Sequence, residues 1–242
     1  MENPKSLLIC GESGSGKSTS LMNMRDQESV LYLNCEGGKP LPFKNKFKRV
    51  NIDDPYVIYN LFQQATEDPK KRFKTIIVDT ASFMMEKFET THVLGAANTM
   101  AAWGAYGNFF RVLMSDYVAK FKGHTVFLAH LDVQIDEDTG EKRITVPVKG
   151  SLKRNGLEAY FTTVITAKKV KVTELDKYSS KLITISERER NLGFKHVFQT
   201  MTTKHTVGDR IRSPIGLFTD DDVYINNDAQ LVIDRLVDFY SE

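Results

Sequence analysis

The sequence lacks the features that define several protein classes. It has two cysteines, Cys10 and Cys35, in 242 residues, and both lie in apolar runs. That number is too small for a disulfide framework and is typical of core residues in a reducing compartment. No apolar run approaches the ~20 residues that cross a bilayer. The first residues also lack the basic and apolar regions of a signal peptide. We therefore expect a cytoplasmic protein without a membrane partner.

Excess charge of one sign is also missing. The chain has 33 Lys and Arg against 31 Asp and Glu, which gives a formal net charge of +2. Overall charge therefore does not argue for nucleic-acid binding, and any such argument must come from local clusters. Repeats, low-complexity stretches and linkers are absent too, so the length suits a single α/β domain over residues 1–242.

A glycine-rich motif near the N-terminus is the strongest positive signal. Residues 11–18 read Gly-Glu-Ser-Gly-Ser-Gly-Lys-Ser and follow the apolar run 7–10. The spacing G-x-x-x-x-G-K-[ST] is that of a phosphate-binding loop, in which glycines let main-chain N–H groups surround phosphate. Lys17 would add a positive charge, Ser18 a hydroxyl for Mg²⁺, and a helix over residues 17–24 its N-terminal dipole. The predicted residues for binding a nucleoside triphosphate are Gly11, Glu12, Ser13, Gly14, Ser15, Gly16, Lys17, Ser18 and Thr19.

Two acidic residues follow apolar runs and can complete a hydrolytic site. Asp79 ends the run 75–79, and we predict that it binds Mg²⁺ together with Ser18. Thr80 comes next, so the paired acid of many ATPases is absent there. We assign Glu36, which follows the run 30–35, as the general base or water-polarising residue. The alternative role for Asp79 is to cap the turn that follows its strand, and the alternative for Glu36 is a solvated loop residue without a catalytic role.

Periodicity along the chain predicts strands that alternate with helices, and hence a mainly parallel sheet. After Asp132 the pattern changes to an antiparallel hairpin and late strands, and a C-terminal helix begins at Asn227 or Asp228. Residues 82–102 are ambiguous, and residues 90–98 within them are interpreted as a mobile loop. The predicted strands are 7–10, 30–35, 49–53, 75–79, 125–129, 133–135, 144–148, 163–172, 182–186 and 196–202, and the predicted internal helices are 57–65 and 109–121.

Together these segments resemble the RecA-like P-loop ATPase core. The segments that carry the resemblance are 11–19, 30–36, 75–82 and 125–130. The compact form and the tail 223–228 resemble phage-encoded RecA-like ATPases linked to single-strand annealing and recombination. The resemblance implies a mainly parallel sheet flanked by helices with an antiparallel C-terminal extension. It also implies Mg²⁺-dependent ATP hydrolysis, single-stranded DNA as partner, a homo-oligomeric ring or filament, and the host cytoplasm as location. A single-strand DNA-binding protein would be a further partner.

The resemblance also implies roles for particular residues. Lys17, Glu36 and His130 would be catalytic, with His130 as the polar sensor of the γ-phosphate; a structural histidine is the alternative. Two loops, at about residues 83–102 and 132–161, would grip single-stranded DNA, with stacking from Tyr160 or Phe161. The basic residues of the second loop are Lys142, Arg143, Lys149, Lys153 and Arg154. A solvated hairpin with ordinary surface charges is the alternative.

A neighbouring subunit would supply Lys204 or Arg210 to the γ-phosphate; the alternative is ordinary loop charges. Recombinases of this type carry an N-terminal segment that hooks onto the next protomer. Because the phosphate loop begins at residue 11, we do not expect filaments formed by that route, whereas rings or core-to-core filaments remain open.

Three other functions are alternatives to the hypothesis of a RecA-like ATPase that binds DNA. Asp79-Thr80-Ala81 begins like a GTPase signature, but Ser82 stands in place of its glycine, and a guanine motif is missing. A helicase loader or packaging motor would usually have two consecutive acidic residues at the end of the strand 75–79, whereas here Thr80 follows Asp79. A non-enzymatic annealing or scaffold protein would bind ATP without turnover.

Overall fold

An eight-stranded sheet forms the centre of the molecule. The structure is a computed structural model that describes residues 6–135 and 142–241. The strands are β1 (Ser6–Gly11), β2 (Val30–Asn34), β3 (Lys48–Asn51), β4 (Thr75–Asp79), β5 (His124–His130), β6 (Asp132–Ile135), β7 (Lys142–Thr145), β8 (Thr163–Lys171), β9 (Phe194–Gln199) and β10 (Tyr224–Asn226). The sheet order is β10-β9-β8-β1-β5-β4-β2-β3, and β6 and β7 form a separate antiparallel hairpin.

The helices connect and cover these strands. The α-helices are α1 (Val57–Glu67), α2 (Ala81–Phe88), α3 (Thr99–Val112), α4 (Leu152–Asn155), α5 (Val172–Leu175), α6 (Glu187–Leu192) and α7 (Ala229–Ser241). The 3₁₀-helices are Ser18–Leu21, Gln27–Ser29, Leu157–Tyr160 and Asp220–Val223, and the π-helices are Glu89–Val93 and Leu113–Val118. In the described part of the chain, no helix is both long and apolar enough to cross a membrane.

The strand directions confirm the predicted fold class. From β3 to β8 all neighbouring strands are parallel, whereas β9 is antiparallel to β8 and β10 is antiparallel to β9. This is a mainly parallel sheet flanked by helices, with an antiparallel C-terminal extension. Its parallel strands are apolar on both sides because helices cover both faces. In β1, for example, Leu8 packs on the side of α1, α2 and α3, and Ile9 packs on the side of α7.

Residues 90–98 were predicted as a mobile loop, which is wrong for residues 90–93, because these belong to the π-helix Glu89–Val93. Most of the ambiguous segment 82–102 belongs to α2, this π-helix and the start of α3. Thr80 caps α2 by accepting a hydrogen bond from the Phe83 N–H, and Met84 and Phe88 are buried on its inner face. Asn98 caps α3 in the same way. The two N-terminal caps and the buried methionine-rich face of α2 stabilise helices in a segment whose composition resembles that of a loop.

Two further predictions of secondary structure are wrong. The expected helix over residues 17–24 is a 3₁₀-helix over Ser18–Leu21, where the Ser20 N–H is shared between the carbonyls of Gly16 and Lys17. Residues 182–186 form no strand. Their hydrogen bonds with β10 go to Asn226 alone, through its main chain and its side chain, so no ladder develops. The phosphate loop therefore has no long helix behind it, and its shape depends on other contacts.

Candidate nucleotide-binding site

Strand register brings the polar ends of four strands together. Gly11 at the end of β1 is paired with His130 at the end of β5, and Asn34 at the end of β2 is paired with Asp79 at the end of β4. Since β1, β2, β4 and β5 are parallel, their carboxyl ends share one edge of the sheet. The phosphate loop, Glu36, Asp79 and His130 all leave the sheet at that edge.

Glycine is required at several positions of the phosphate loop. Gly14 and Gly16 have φ values of +73° and +98°, a region that disfavours residues with a Cβ atom. A Cβ on Gly11 would lie 2.8 Å from the Ala167 carbonyl oxygen. A Cβ on Gly16 would lie 2.7 Å from Asn227 Nδ2. The loop therefore forms a concave main-chain surface that suits a phosphate group.

Lys17 is buried and points back into the loop. Its Nζ donates hydrogen bonds to the carbonyl oxygens of Gly11 (2.8 Å) and Glu12 (2.9 Å) and lies 3.4 Å from His130 Nδ1. Burial lowers the pKa of Lys17, against the attraction of Asp79 and Glu36. The ammonium group is thus held at the centre of the site, where phosphate oxygens can compete with the two carbonyls for its protons.

Asp79 is buried at the end of β4. Its Oδ2 accepts hydrogen bonds from Tyr32 Oη (2.6 Å) and Ser18 Oγ (3.3 Å). Burial is the main cause of a raised pKa for this carboxyl group. Its Oδ1 is also buried and has no hydrogen-bond partner among the described residues. A hydroxyl and a carboxylate with an unused oxygen are ligands that suit Mg²⁺, so Ser18 and Asp79 fit the predicted magnesium site.

Glu36 and His130 form a pair beside Lys17. His130 Nε2 lies 3.3 Å from Glu36 Oε1, and Lys39 Nζ lies 3.1 Å from Glu36 Oε2. The hydrogen bond with His130 is the largest cause that lowers the pKa of Glu36, which keeps the group ionised and able to accept a proton. Since Glu36 is an acceptor beside Nε2 of His130, this nitrogen carries a proton and donates it to the carboxylate.

These groups meet in a single cavity of about 230 Å³. Its lining includes the phosphate loop, Tyr32, Glu36, Asp79 and His130. A glycine cradle, a lysine, a magnesium-type ligand pair and an ionised carboxylate are the groups that nucleoside triphosphate hydrolysis requires. The structure therefore brings together the phosphate-loop, metal and catalytic residues that the sequence predicts.

A comparison with known proteins identifies the family of the chain. The family model described as AAA domain matches residues 3–207. The chain belongs to the AAA domain family. That membership supports the predicted P-loop ATPase. No curated protein matches the chain. Among solved structures, a crystal structure of the RadB recombinase matches with 13% identity and a TM-score of 0.40, over 70% of this chain and 76% of that one.

Sequence reasoning missed several residues of this AAA-domain protein. Tyr32 lies on β2, and its hydroxyl donates a hydrogen bond to Asp79. Tyr32 and Asn34 are two residues apart on the strand and so share one face, which is a signal that the sequence contains. His196 on β9 donates to the Ser15 carbonyl (2.9 Å), and Asn227 Nδ2 donates to the Gly16 carbonyl (2.9 Å). No local pattern marks these last two, because their roles depend on how β9 and the start of α7 pack behind the loop.

A second cavity, of about 870 Å³, adjoins the nucleotide site of the AAA-domain protein and shares His130 with it. Three of the predicted DNA-binding residues, Lys149, Lys153 and Arg154, contribute to its lining. Lys149 Nζ also forms an ion pair with Glu89 Oε1 at 2.7 Å. The side chains of the other two, Lys142 and Arg143, lie outside the described part of the structure. DNA binding by these residues stays a prediction.

The aromatic residues predicted for stacking are placed elsewhere. Phe161 is buried and packs edge-on against Phe127, and Tyr160 packs against Phe110. The expected role of Phe161 on DNA is therefore wrong, because Phe161 belongs to the core, whereas Tyr160 is partly buried and its stacking on DNA stays a prediction. Phe83 lines the second cavity instead, is 37% exposed, and packs edge-on against His130.

The residues proposed to act on a neighbouring subunit also have defined positions. Arg210 Nη1 donates to the Asn155 carbonyl (2.8 Å) and lies 3.4 Å from Oε2 of the buried Glu158. Lys204 is exposed after β9. Arg210 thus has an ion-pair partner within its own chain. A trans role for either residue stays a prediction.

Proposed function

We propose that this protein is a Mg²⁺-dependent ATPase that binds single-stranded DNA and acts as an oligomer in phage DNA recombination or single-strand annealing. The observation that carries the proposal is the convergence of Lys17, Asp79 and Glu36 on one cavity beside the phosphate loop. Each group has the chemistry that its role needs. The resemblance to RecA-like annealing ATPases supports the recombination role.

The residues divide the reaction between them. The phosphate loop and Lys17 bind the phosphates, and Ser18 and Asp79 would hold Mg²⁺, which neutralises charge on the phosphate oxygens. Glu36 accepts a proton from water as the water oxygen attacks the γ-phosphorus. The bond from that phosphorus to the bridging oxygen of ADP breaks, and the products are ADP and inorganic phosphate. His130 orients Glu36, because its Nε2–H faces the carboxylate.

Two features support a DNA site in the second cavity. The exposed side chains of Lys153 and Arg154 lie on its rim, where they can pair with phosphates. The exposed ring of Phe83 can stack on a base. His130 lines both cavities, and its main-chain N–H donates to Ser82 on the intervening helix α2 (2.9 Å). A change at the γ-phosphate can therefore reach the DNA site through His130.

The central test compares the wild type with Glu36→Gln. We expect Mg²⁺-dependent phosphate release by the wild type, faster with single-stranded DNA. The variant should bind a fluorescent ATP analogue but hydrolyse ATP at least ~100-fold more slowly, because the amide cannot accept the proton. Glu28→Gln, at an exposed surface ion pair, is the matched control. Normal turnover in Glu36→Gln would contradict the assignment, and binding without any release by the wild type would favour a non-enzymatic scaffold.

A salt titration tests the DNA site. Lys153→Ala combined with Arg154→Ala should lower the slope of log affinity against log salt for single-stranded DNA by about 1.4, since each phosphate contact contributes about 0.7. The control combines Lys70→Ala with Lys71→Ala, which are exposed on the turn before β4. An unchanged slope in the first pair, or an equal change in both, would place the DNA elsewhere.

A further inference from the structure

Lys39 lies outside the phosphate-loop motif but lines the same cavity. It follows Gly37 and Gly38, whose φ values of +62° and +86° turn the chain back toward the sheet edge. The Lys39 carbonyl accepts hydrogen bonds from Asn34 Nδ2 (2.9 Å) and Arg49 Nη2 (3.3 Å). The main chain of Lys39 is therefore anchored at the mouth of the site.

The side chain of Lys39 is placed differently from its main chain. It is 72% exposed, and its Nζ contacts Glu36 Oε2 at 3.1 Å, whereas the Glu36 side chain is 11% exposed. Lys39 also lies close enough to Lys17 for the two positive charges to oppose each other. The cavity thus has an exposed cation, Lys39, in addition to the buried Lys17.

We propose that Lys39 is a second cation for the γ-phosphate, which pairs with Glu36 before ATP binds and moves to the γ-phosphate when ATP is present. The proposal rests on the function proposed above for this site. Transfer of the ammonium group releases Glu36 Oε2, which can then accept a hydrogen bond from the attacking water. Glu36 would be available as a base once a γ-phosphate has arrived.

Charge explains the direction of the transfer. An exposed ion pair contributes little free energy, so the contact with Glu36 is easily given up. The γ-phosphate offers several charged oxygens, and hydrogen bonds between charged groups are among the strongest in proteins. A γ-phosphate beside the Glu36 carboxylate would also meet repulsion, which an ammonium group between them reduces. ADP has no γ-phosphate, so the gain is specific to ATP.

The test measures the affinities of Lys39→Met for fluorescent analogues of ATP and ADP. We expect ATP affinity to fall about tenfold, the effect of one hydrogen bond between charged groups, while ADP affinity changes by less than about twofold. Lys46→Met is the matched control, since Lys46 is an exposed lysine of the same connecting segment and pairs with Glu28. Equal losses for ATP and ADP, or no loss for either, would overturn the proposal.

Glu36→Gln gives a second, independent readout. Removal of the carboxylate frees Lys39 and also removes its repulsion of the γ-phosphate, so this variant should bind ATP more tightly than the wild type. Only the second effect remains without Lys39, so the gain from Glu36→Gln should be clearly smaller in a Lys39→Met background, and an equal or larger gain there would overturn the proposal. Failure of the wild type to bind ATP would instead refute the proposed function. Binding without hydrolysis would refute the ATPase activity and leave the affinity ratio as the test of Lys39.

Discussion

The phosphate loop is held from two sides that differ in chemistry. On the front, Lys17 lies within the loop beside the pair formed by His130 and Glu36, and the pKa values of Lys17 and Glu36 are lowered. On the back, the ring of His196 and the side-chain amide of Asn227 donate hydrogen bonds to loop carbonyls. The front can exchange protons and charges with a ligand, whereas the back fixes the shape of the main chain.

The residues at the front and at the back of the loop also come from different parts of the sequence. The front residues come from a motif and from the ends of adjacent parallel strands, so they stay together as long as the sheet forms. The back residues come from the antiparallel extension, more than 150 residues after the loop. Because a 3₁₀-helix of four residues replaces the expected longer helix, the extension supplies support that the loop lacks locally. We expect substitutions at the front to abolish ATP hydrolysis, and substitutions at the back to weaken ATP binding without stopping hydrolysis.

The largest effect is expected at Lys17. In Lys17→Ala the loop loses its central charge, and ATP affinity should fall at least ~100-fold, with turnover below detection. The free energy of unfolding should not fall, because burial already disfavours the ammonium group. Calorimetric titration and thermal unfolding measure the two effects. Lys44→Ala, at an exposed position after β2, is the control; near-normal ATP affinity in Lys17→Ala would show that the front of the loop does not bind phosphate.

Asp79→Asn should separate stability from function. Because the pKa of Asp79 is raised in the folded protein, its stabilising contribution is complete below the unfolded pKa and is lost as pH rises through the folded one. Ionised Asp79 therefore costs stability at neutral pH. The variant should be more stable there by about 1 kcal/mol and should lose this advantage in acid. Mg²⁺-dependent ATP binding should weaken about 10- to 100-fold.

Unfolding at several pH values, with and without Mg²⁺ and ATP, checks the Asp79 prediction. Glu28→Gln serves as the control, since Glu28 is an exposed carboxylate. A variant that is less stable than the wild type at neutral pH would show that the Tyr32 and Ser18 hydrogen bonds outweigh the cost of burial.

The front of the site was predictable from the sequence for physical reasons. The spacing Gly11 to Ser18 has few structural solutions, and a strongly apolar strand that ends in Asp79 must deliver it to the ligand edge. Lys39 and Phe83 were missed because their signals are single residues in loop-like segments. The contact of His196 with the phosphate loop was missed because the sequence around a histidine on a late strand does not indicate which carbonyl group it will contact. Local patterns encode strand ends and glycine turns, whereas contacts between distant elements depend on packing.

The smallest effect is expected at the back of the loop. Asn227→Ala removes one neutral hydrogen bond to the Gly16 carbonyl, so ATP affinity should fall about three- to tenfold while kcat at saturating ATP stays within about twofold. His196→Ala should act alike at Ser15, and the double variant should lose more than either alone. Asn191→Ala, exposed at the end of α6, is the control. A fall in kcat with unchanged KM would contradict the comparison, because it would place the back of the loop in the chemical step.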